Sequence, residues 1–400
     1  MKKHLLTLFS FSFVVMLNSF QHLAFAQGTW TQKASLTGVA RTNAVGFTLG
    51  TKGYICTGFD GTVCLNDLWE YDAVANSWTQ KTSFPGAPRE GAVVFTIGTK
   101  AYVGTGRQDT ALYKDFYEYD QAGNSWTVKA PFGGTKRSEA SAFSIGTMGY
   151  VGTGYDGTNT LDFWEYNQTT NTWLARANYP NQQRNSAIGF SLNNGKGIIG
   201  SGYASAVVYQ DFWEYNPVGN SWAFVGQTNY QAYSIACFTL GTLAYYGTGI
   251  DDNAVYYNNF SSFDPLNGST ALTAFGGTNR YNACAFAISG RGYMGTGYDS
   301  WVTQDWWEYT PQNFSVEENN SEIQISLYPN PAVNNLELTI DNGQFGKGEI
   351  MIYDVTGNIV LQTTNCKPQT IIDVSSFSKG IYFLKISDGK KSAVKKLVKM

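Results

Sequence analysis

The stretch D-F-W-E-Y-N-P-V-G-N-S-W at residues 211–222 decides the fold, because the chain repeats it. Close copies stand at 67–78, 115–126 and 162–173. In each copy two aromatic runs flank a short segment of Asn, Gly, Pro or other turn-forming residues. This arrangement predicts two antiparallel strands joined by a tight turn.

The copies follow a fixed period, which is the signature of a repeat architecture. The tryptophans that open the second strand are spaced by 48, 48, 47 and 49 residues: Trp30, Trp78, Trp126, Trp173 and Trp222. A second motif of the type A-Y-V-G-T-G recurs with the same period at 52–58, 100–106, 148–154, 196–202, 243–249 and 291–297. The chain therefore contains six units.

Each unit predicts four strands, which we name a to d. Strand a is a run of small residues such as 41–50, strand b is the A-Y-V-G-T-G type, strand c the D-F-W-E-Y type, and strand d begins at N-S-W. Four antiparallel strands at this period indicate a propeller blade. A lone strand d stands at 29–35, whereas the last unit ends after strand c at 305–309. The N-terminal strand is thus predicted to complete a sixth blade, which leaves no open sheet edge.

These motifs resemble the kelch repeat. The glycines that end strand b appear as Gly104-Thr105-Gly106, and the Tyr of strand c and the Trp of strand d follow at kelch spacing. The sequence departs from kelch in splitting the double glycine, and Cys56 replaces the first glycine of the first unit. The resemblance covers roughly 29–310 and implies an all-β fold, a six-bladed kelch-like β-propeller over 27–310. Some kelch propellers are copper oxidases or sugar-processing enzymes.

The N-terminus predicts export. Lys2 and Lys3 precede an apolar run that ends in Ala24-Phe25-Ala26, which is typical of a signal peptide spanning 1–26. The only two histidines lie within it, so the mature chain has none. This excludes Ser-His-Asp and Cys-His catalysis and histidine-ligated metals, including the copper of kelch-type oxidases. The net charge is -3, so the composition does not indicate the basic surface that binds nucleic acid. No apolar run is long enough to span a membrane.

The composition changes after a predicted linker at 311–322. Residues 323–400 alternate as short strands and predict a small β-sandwich. They resemble the C-terminal sorting domain of the type IX secretion system of Bacteroidetes-type bacteria through L-Y-P-N-P (327–331), Y-D-V-T-G-N-I-V (353–360) and K-G-I-Y-F-L-K-I (379–386). The resemblance implies the type IX machinery as a partner. It also implies passage through the periplasm to the outer-membrane surface or the medium.

Two repeated charges mark candidate sites. Arginines open strand a in five units: Arg41, Arg89, Arg137, Arg184 and Arg280. Glutamates stand in strand c of the same units: Glu70, Glu118, Glu165, Glu214 and Glu308. The fifth unit has lost both, with Ala232 and Ser262 in their places. This covariation predicts structural Arg–Glu pairs; the alternative is a ring of arginines that binds an acidic ligand.

The loops between strands b and c supply the other candidates. They carry aspartates that either bind calcium or cap their own turns: Asp60, Asp109, Asp156, Asp251 and Asp299. Aromatic residues in the same loops are candidate ligand contacts: Trp301, Tyr113, Tyr209 and Tyr257. Cys56 and Cys64 either form a disulfide across this loop or remain free thiols.

We infer an exported or cell-surface binding protein whose loop face recognises a glycan or a protein. The alternatives are a carbohydrate-active enzyme that works without histidine and a structural surface protein. We expect no catalytic residues and no cofactor, with calcium as the one ion left open.

Overall fold

The computed structural model describes residues 28–311, 325–340, 348–354, 359–367, 369–387 and 392–400. The chain divides into two compact units, Met1–Pro311 and Gln312–Met400. The predicted signal peptide and almost all of the predicted linker lie outside the described residues. Within the described parts every regular element is a β-strand, and no helix is long and apolar enough to cross a membrane.

The first unit contains six four-stranded antiparallel sheets, here called sheets 1 to 6. Strands a to d of sheets 1 to 3 are Val45–Leu49, Lys52–Cys56, Leu68–Asp72 and Ser77–Lys81; Val93–Ile97, Lys100–Gly104, Phe116–Asp120 and Ser125–Lys129; Ser141–Ile145, Met148–Gly152, Phe163–Asn167 and Thr172–Arg176. Those of sheets 4 to 6 are Ile188–Leu192, Lys196–Gly200, Asp211–Asn216 and Ser221–Gln227; Ala236–Leu240, Leu243–Gly247, Phe260–Asp264 and Gly268–Ala271; Cys284–Ile288, Arg291–Gly295, Trp306–Thr310 and Thr29–Lys33. Two small hairpins join Arg107–Gln108 to Ala111–Leu112 and Tyr203–Ala204 to Val207–Val208.

Sheet 6 takes its outer strand from the N-terminus. Thr29–Lys33 pairs antiparallel with Trp306–Thr310, and Trp30 lies opposite Tyr309. This pairing covers the edge of strand c, whose backbone N–H and C=O groups would otherwise face solvent. The sequence prediction that the N-terminal strand joins the last unit is therefore confirmed at the level of strand pairing.

Apolar clusters hold each sheet against its neighbours in the sequence, and sheet 6 against sheet 1. Phe286 and Trp306 of sheet 6 are buried in one cluster with Ile55 and Tyr71 of sheet 1. The contact requires a glycine, because a Cβ on Gly53 would lie 2.1 Å from the Phe286 ring. A phenylalanine in strand a of one sheet packs against a glycine or alanine in strand b of the following sheet. The small size of that residue sets how closely the two sheets approach.

A cycle of hydrogen bonds links the six sheets where strand a begins. One residue of each sheet has a left-handed backbone with φ between 53° and 60°: Asn43, Gly91, Glu139, Ser186, Ser234 and Asn282. Each N–H donates to the carbonyl oxygen of the corresponding residue in the preceding sheet, at 2.8–3.2 Å. The N–H of Asn43 donates to Asn282, so the six bonds close on themselves. We call these six residues the hydrogen-bond cycle.

The N-S-W step of the repeated motif also connects neighbouring sheets. Asn76 has a φ of 51°, and its side-chain oxygen accepts hydrogen bonds from the Tyr71 hydroxyl at 2.8 Å and the Ala34 N–H at 2.9 Å. The indole N–H of Trp78 donates to the Ala34 carbonyl at 3.0 Å. The same contacts recur at Asn124, Asn171 and Asn220. The repeated motif therefore ties strand d of one sheet to that of the sheet before it.

The second unit contains a three-stranded and a four-stranded antiparallel sheet around one apolar core. Their strands, in sheet order, are Ile325–Tyr328, Asn335–Ile340 and Gln369–Asp373, and Ile359–Cys366, Gly348–Asp354, Gly380–Ser387 and Ser392–Lys399. Asn330 of the L-Y-P-N-P motif fastens the last strand: its amide donates to the Lys396 carbonyl at 2.7 Å, and its side-chain oxygen accepts from the Val398 N–H at 2.8 Å.

We expect Trp30→Ala to lower the free energy of unfolding of the first unit by about 3 kcal/mol. The Trp30 ring packs edge-on against Phe260 and Phe275, with centroids 4.8 and 5.0 Å away, so its loss opens a gap between sheets 5 and 6. Chemical denaturation followed by tryptophan fluorescence measures the change. Thr31→Ala, on the exposed side of the same strand, is the control. Equal stability of the two variants would contradict a stapling role for this strand.

Candidate functional site

The candidate site lies where strand b ends and the chain returns towards strand a. In each sheet the residue after the Thr/Ser-Gly pair bridges to a residue just before strand a. The six bridges are Thr42–Phe59, Glu90–Arg107, Ser138–Tyr155, Asn185–Tyr203, Tyr233–Ile250 and Tyr281–Tyr298. The bridges stand beside the hydrogen-bond cycle, so their side chains from different sheets converge.

A cavity of about 570 Å³ opens at this convergence. Its walls carry aromatic and charged side chains: Phe59, Tyr203, Tyr233, Tyr281, Tyr298, Glu90, Arg107 and Glu139. Five residues of the hydrogen-bond cycle line it, namely Glu139 and also Asn43, Ser186, Ser234 and Asn282. We call it the central cavity. Its size lies within the range of roughly 300–1,000 Å³ that is usual for small-molecule sites.

Four tyrosines form two pairs at the rim. Tyr203 and Tyr233 stack with ring centroids 4.7 Å apart, and Tyr281 and Tyr298 meet at 5.5 Å. None of their hydroxyls makes a hydrogen bond to another of the described residues. Because a tyrosine hydroxyl both donates and accepts, these four hydroxyls retain their capacity for hydrogen bonds.

Arg107 lies between two glutamates in the same cavity. Its Nε donates to Glu90 Oε1 at 3.0 Å, and its Nη2 lies 3.3 Å from Glu139 Oε1. Glu90 also accepts from the Asn43 amide at 3.3 Å, and Glu139 from the Ser186 hydroxyl at 2.8 Å. This network fixes both carboxylates and leaves the guanidinium Nη1 without a partner among the described residues.

The five repeat arginines lie elsewhere, and their predicted partners were wrong. Each guanidinium pairs with the aspartate three residues before the repeat glutamate, at 2.5–2.6 Å: Arg41–Asp67, Arg89–Asp115, Arg137–Asp162, Arg184–Asp211 and Arg280–Asp305. The arginines are 0–1 % exposed. The reason is strand alternation: the aspartate lies at or just before the start of strand c beside the arginine, whereas the glutamate lies on the strand opposite the tyrosine (isoleucine in sheet 4) of strand b.

The repeat glutamates serve a second, separate contact. Glu165 accepts a hydrogen bond from the Tyr150 hydroxyl at 2.8 Å and pairs with Arg176 at 2.6 Å. Glu308 likewise accepts from the Tyr293 hydroxyl at 2.6 Å and lies 3.6 Å from Lys33. These glutamates therefore tie strands b, c and d together within a sheet.

Sheet 5 shows how the arginine is replaced. Asn259 stands at the aspartate position and Ala232 at the arginine position. Tyr230 fills the space, and its hydroxyl donates to the Thr248 carbonyl at 2.9 Å, as Arg89 Nη1 does to Thr105 at 2.8 Å. The paired loss that the sequence shows is thus one of an arginine and an aspartate.

The aromatic candidates of the loops do not come together. Tyr113 and Tyr209 cover the guanidinium groups of Arg89 and Arg184, at 4.4 and 4.1 Å from ring centroid to carbon. The Tyr257 hydroxyl donates to Asp251 at 2.8 Å. Trp301 differs, because 80 % of its surface is exposed. It stands three residues beyond Tyr298 of the central cavity.

The loop aspartates cap their own turns. Asp60 accepts hydrogen bonds from the N–H groups of Thr62 and Val63, both at 2.7 Å. Asp156, Asp251 and Asp299 accept equivalent bonds within their loops, and Asp109 has a left-handed backbone with a φ of 52°. Among the described residues no three His, Cys, Asp or Glu side chains lie close enough to hold a metal ion.

Cys56 and Cys64 are free thiols, so the disulfide that the sequence left open is not formed. Cys56 is buried in the cluster between sheets 1 and 2, whereas the Cys64 sulfur lies 3.8 Å from the Arg107 carbonyl. Burial, then the charges of Glu90 and Asp109, raise the pKa of Cys64 to about 11.

Sequence reasoning missed Glu90, Arg107 and Glu139, although a signal for them exists. At the position of Glu90 the other units have Thr, Ser, Asn, Tyr and Tyr, and at the position of Arg107 they have Phe, Tyr, Tyr, Ile and Tyr. A charge that breaks the repeat at a position pointing to the centre marks a site.

Asp211→Asn tests the buried pair. The pKa of Asp211 is lowered, because the hydrogen bonds and charge of Arg184 outweigh burial, which acts to raise it. A lowered pKa stabilises the fold above the unfolded value of about 3.9, and this contribution is lost as the pH falls through the folded pKa. We expect Asp211→Asn to cost about 3 kcal/mol at neutral pH and progressively less in acid.

Urea unfolding at neutral pH and in acid measures this difference. Asp264→Asn, at an exposed turn of sheet 5, is the matched control and should change the free energy of unfolding by less than about 0.5 kcal/mol. A pH-independent cost at Asp211 would show that its charge does not stabilise the fold.

Comparisons with known proteins agree with this geometry at two levels. Residues 326–400 match the family model described as the secretion system C-terminal sorting domain. A search of curated proteins gives no match. Among solved structures, "Structure of YjhT" is similar with a TM-score of 0.58 and 15 % identity, over 76 % of this chain and 99 % of that one. That likeness concerns the fold alone, which is all-β and propeller-like. The sorting domain supports secretion by the type IX system to the cell surface or beyond it.

Proposed function

We propose that this protein is an exported carbohydrate-binding protein whose ligand occupies the central cavity. The observation that carries the proposal is a cavity lined by aromatic rings, in which four tyrosine hydroxyls and one guanidinium nitrogen have no hydrogen-bond partner among the described residues. Sugars present hydroxyls at their edges and C–H groups on their faces, which match polar groups and aromatic faces respectively. A protein ligand or a purely structural role would not require this arrangement.

The proposed architecture is a closed six-bladed propeller of the kelch type. The support is that sheets 1 and 6 pack together, that the hydrogen-bond cycle joins all six sheets, and that Thr29–Lys33 completes sheet 6. A closed ring of this kind holds side chains from six sheets at fixed positions around one axis. Rigid placement of converging groups lowers the entropic cost of binding.

Trp301 is proposed as an accessory contact on the same face. Its exposed indole offers an aromatic surface beyond the cavity, where a longer glycan would extend. Tyr113 and Tyr209 contribute indirectly in this proposal, since they cover the buried arginines that hold the loops.

The binding test uses the mature chain, residues 27–400, on a glycan array followed by calorimetry. We expect Tyr233→Phe and Tyr281→Phe each to weaken binding about fivefold, because each removes one hydrogen bond worth about 1 kcal/mol. Tyr155→Phe is the matched control, because Tyr155 occupies the repeat position of Tyr203 and Tyr298 but does not line the cavity.

Two results would contradict the proposal. An array without any bound glycan would remove the carbohydrate assignment. Binding that is lost in Trp301→Ala but unchanged in the cavity tyrosine variants would place the site at the outer loops.

The proposed route of export has a separate test. We expect deletion of residues 326–400 to keep the chain in the periplasm, because the sorting domain is the part that the secretion machinery recognises. Fractionation of cells and medium in a host with type IX secretion measures this. Asn330→Ala removes the two side-chain hydrogen bonds to the last strand and should reduce export in the same assay. Surface delivery of the truncated chain would contradict this role.

A further inference from the structure

The charge of the central cavity restricts which sugar it accepts. Arg107 is the one cationic side chain among the described residues that line it, and it already pairs with both Glu90 and Glu139. The two carboxylates and one guanidinium leave the cavity with one net negative charge. A ligand carboxylate would be the third around a single guanidinium, and like charges at this distance repel.

Nearby carboxylates also contribute to raised pKa values of the tyrosines that line the cavity. Burial, then the neighbouring Tyr256, Tyr298 and Tyr233 and the carboxylate of Glu90, raise the pKa of Tyr281 to about 12. The pKa of Tyr233 is raised by burial, by Tyr203 and then by the carboxylates of Glu139, Asp251 and Asp252. The charged groups that act on one or the other of these tyrosines are thus acidic, and two of them, Asp251 and Asp252, lie in the loop between strands b and c of sheet 5.

A positively charged ligand suits both the aromatic rings and the carboxylates that line the cavity. Aromatic faces attract a positive charge through their quadrupole, and the rim is formed by five aromatic rings. A cleft with a net charge of one sign also raises the local concentration of ligands of the opposite sign. Both effects favour a charged sugar over a neutral one only if that charge is positive.

We propose that the central cavity selects sugars that carry a protonated amine, the unacetylated amino sugars, over neutral and acidic sugars. This inference rests on the proposed function and names its substrate class. The amine would lie near Glu90 and Glu139, while the sugar hydroxyls meet the tyrosine hydroxyls and Arg107 Nη1.

The test titrates the mature chain with three oligosaccharides of equal length by calorimetry: glucosamine, N-acetylglucosamine and galacturonic acid oligomers. N-acetylation removes the charge and keeps the ring, so the first pair isolates the amine. We expect the glucosamine oligomer to bind about tenfold more tightly than its acetylated form, as one hydrogen bond to a charged group provides, and the acidic oligomer to bind most weakly. The preference should shrink as salt is added.

Two variants change the charge in opposite directions. Glu139→Gln makes the cavity neutral and should reduce the preference for the amine to less than about threefold. Arg107→Gln makes it doubly negative and should increase the preference. Asp264→Asn removes a carboxylate at the opposite edge of sheet 5 and should leave the preference unchanged, which controls for total charge.

The outcomes separate this inference from the proposed function. Equal binding of the glucosamine and acetylated oligomers, or tightest binding of the acidic one, would overturn the amine preference while a carbohydrate site remains. Absence of binding by all three, together with a blank glycan array, would remove the carbohydrate function itself. A preference that changes equally in Asp264→Asn and Glu139→Gln would show that the effect does not arise in the cavity.

Discussion

The cycle of six backbone hydrogen bonds is the constraint on which the first unit depends. Each bond requires a left-handed residue just before strand a, and each joins one sheet to the next. A non-glycine residue pays about 1 kcal/mol or more for this conformation, so the cycle persists only because the surrounding sheets enforce it. Five of its six members are Asn, Ser or Glu, whose side chains reach into or beside the central cavity. The same left-handed positions therefore link all six sheets, and five of them line the central cavity.

The repeated polar residues around this cycle make different kinds of contact. The arginine and the aspartate before strand c anchor the loops, and the glutamate joins the strands within a sheet. The asparagine and tryptophan of strand d connect neighbouring sheets. Every one of these residues is engaged with another part of the protein. Glu90, Arg107 and Glu139 differ from the residues at the same positions of the other units, and they line the central cavity together with four tyrosines.

The sorting domain and the central cavity lie in different units. The matched sorting domain of the second unit accounts for export, and its L-Y-P-N-P asparagine fastens the last strand of the chain. The first unit has the rigid aromatic cavity. No histidine lies among the described residues, and the cavity is lined by tyrosines, carboxylates and a guanidinium.

The sequence by itself determined the all-β repeat, the four strands of each unit, the pairing of the N-terminal strand with the last unit and the sorting domain. These features follow from periodicity and local motifs, because strand alternation and turn formation depend on residues that are close together in the sequence. Only the tertiary structure decided that Arg184 pairs with Asp211 and not Glu214, that Cys56 and Cys64 stay apart, and that Glu90, Arg107 and Glu139 meet. Those contacts join residues of different strands or different sheets, and their geometry depends on how the sheets twist and pack around the centre.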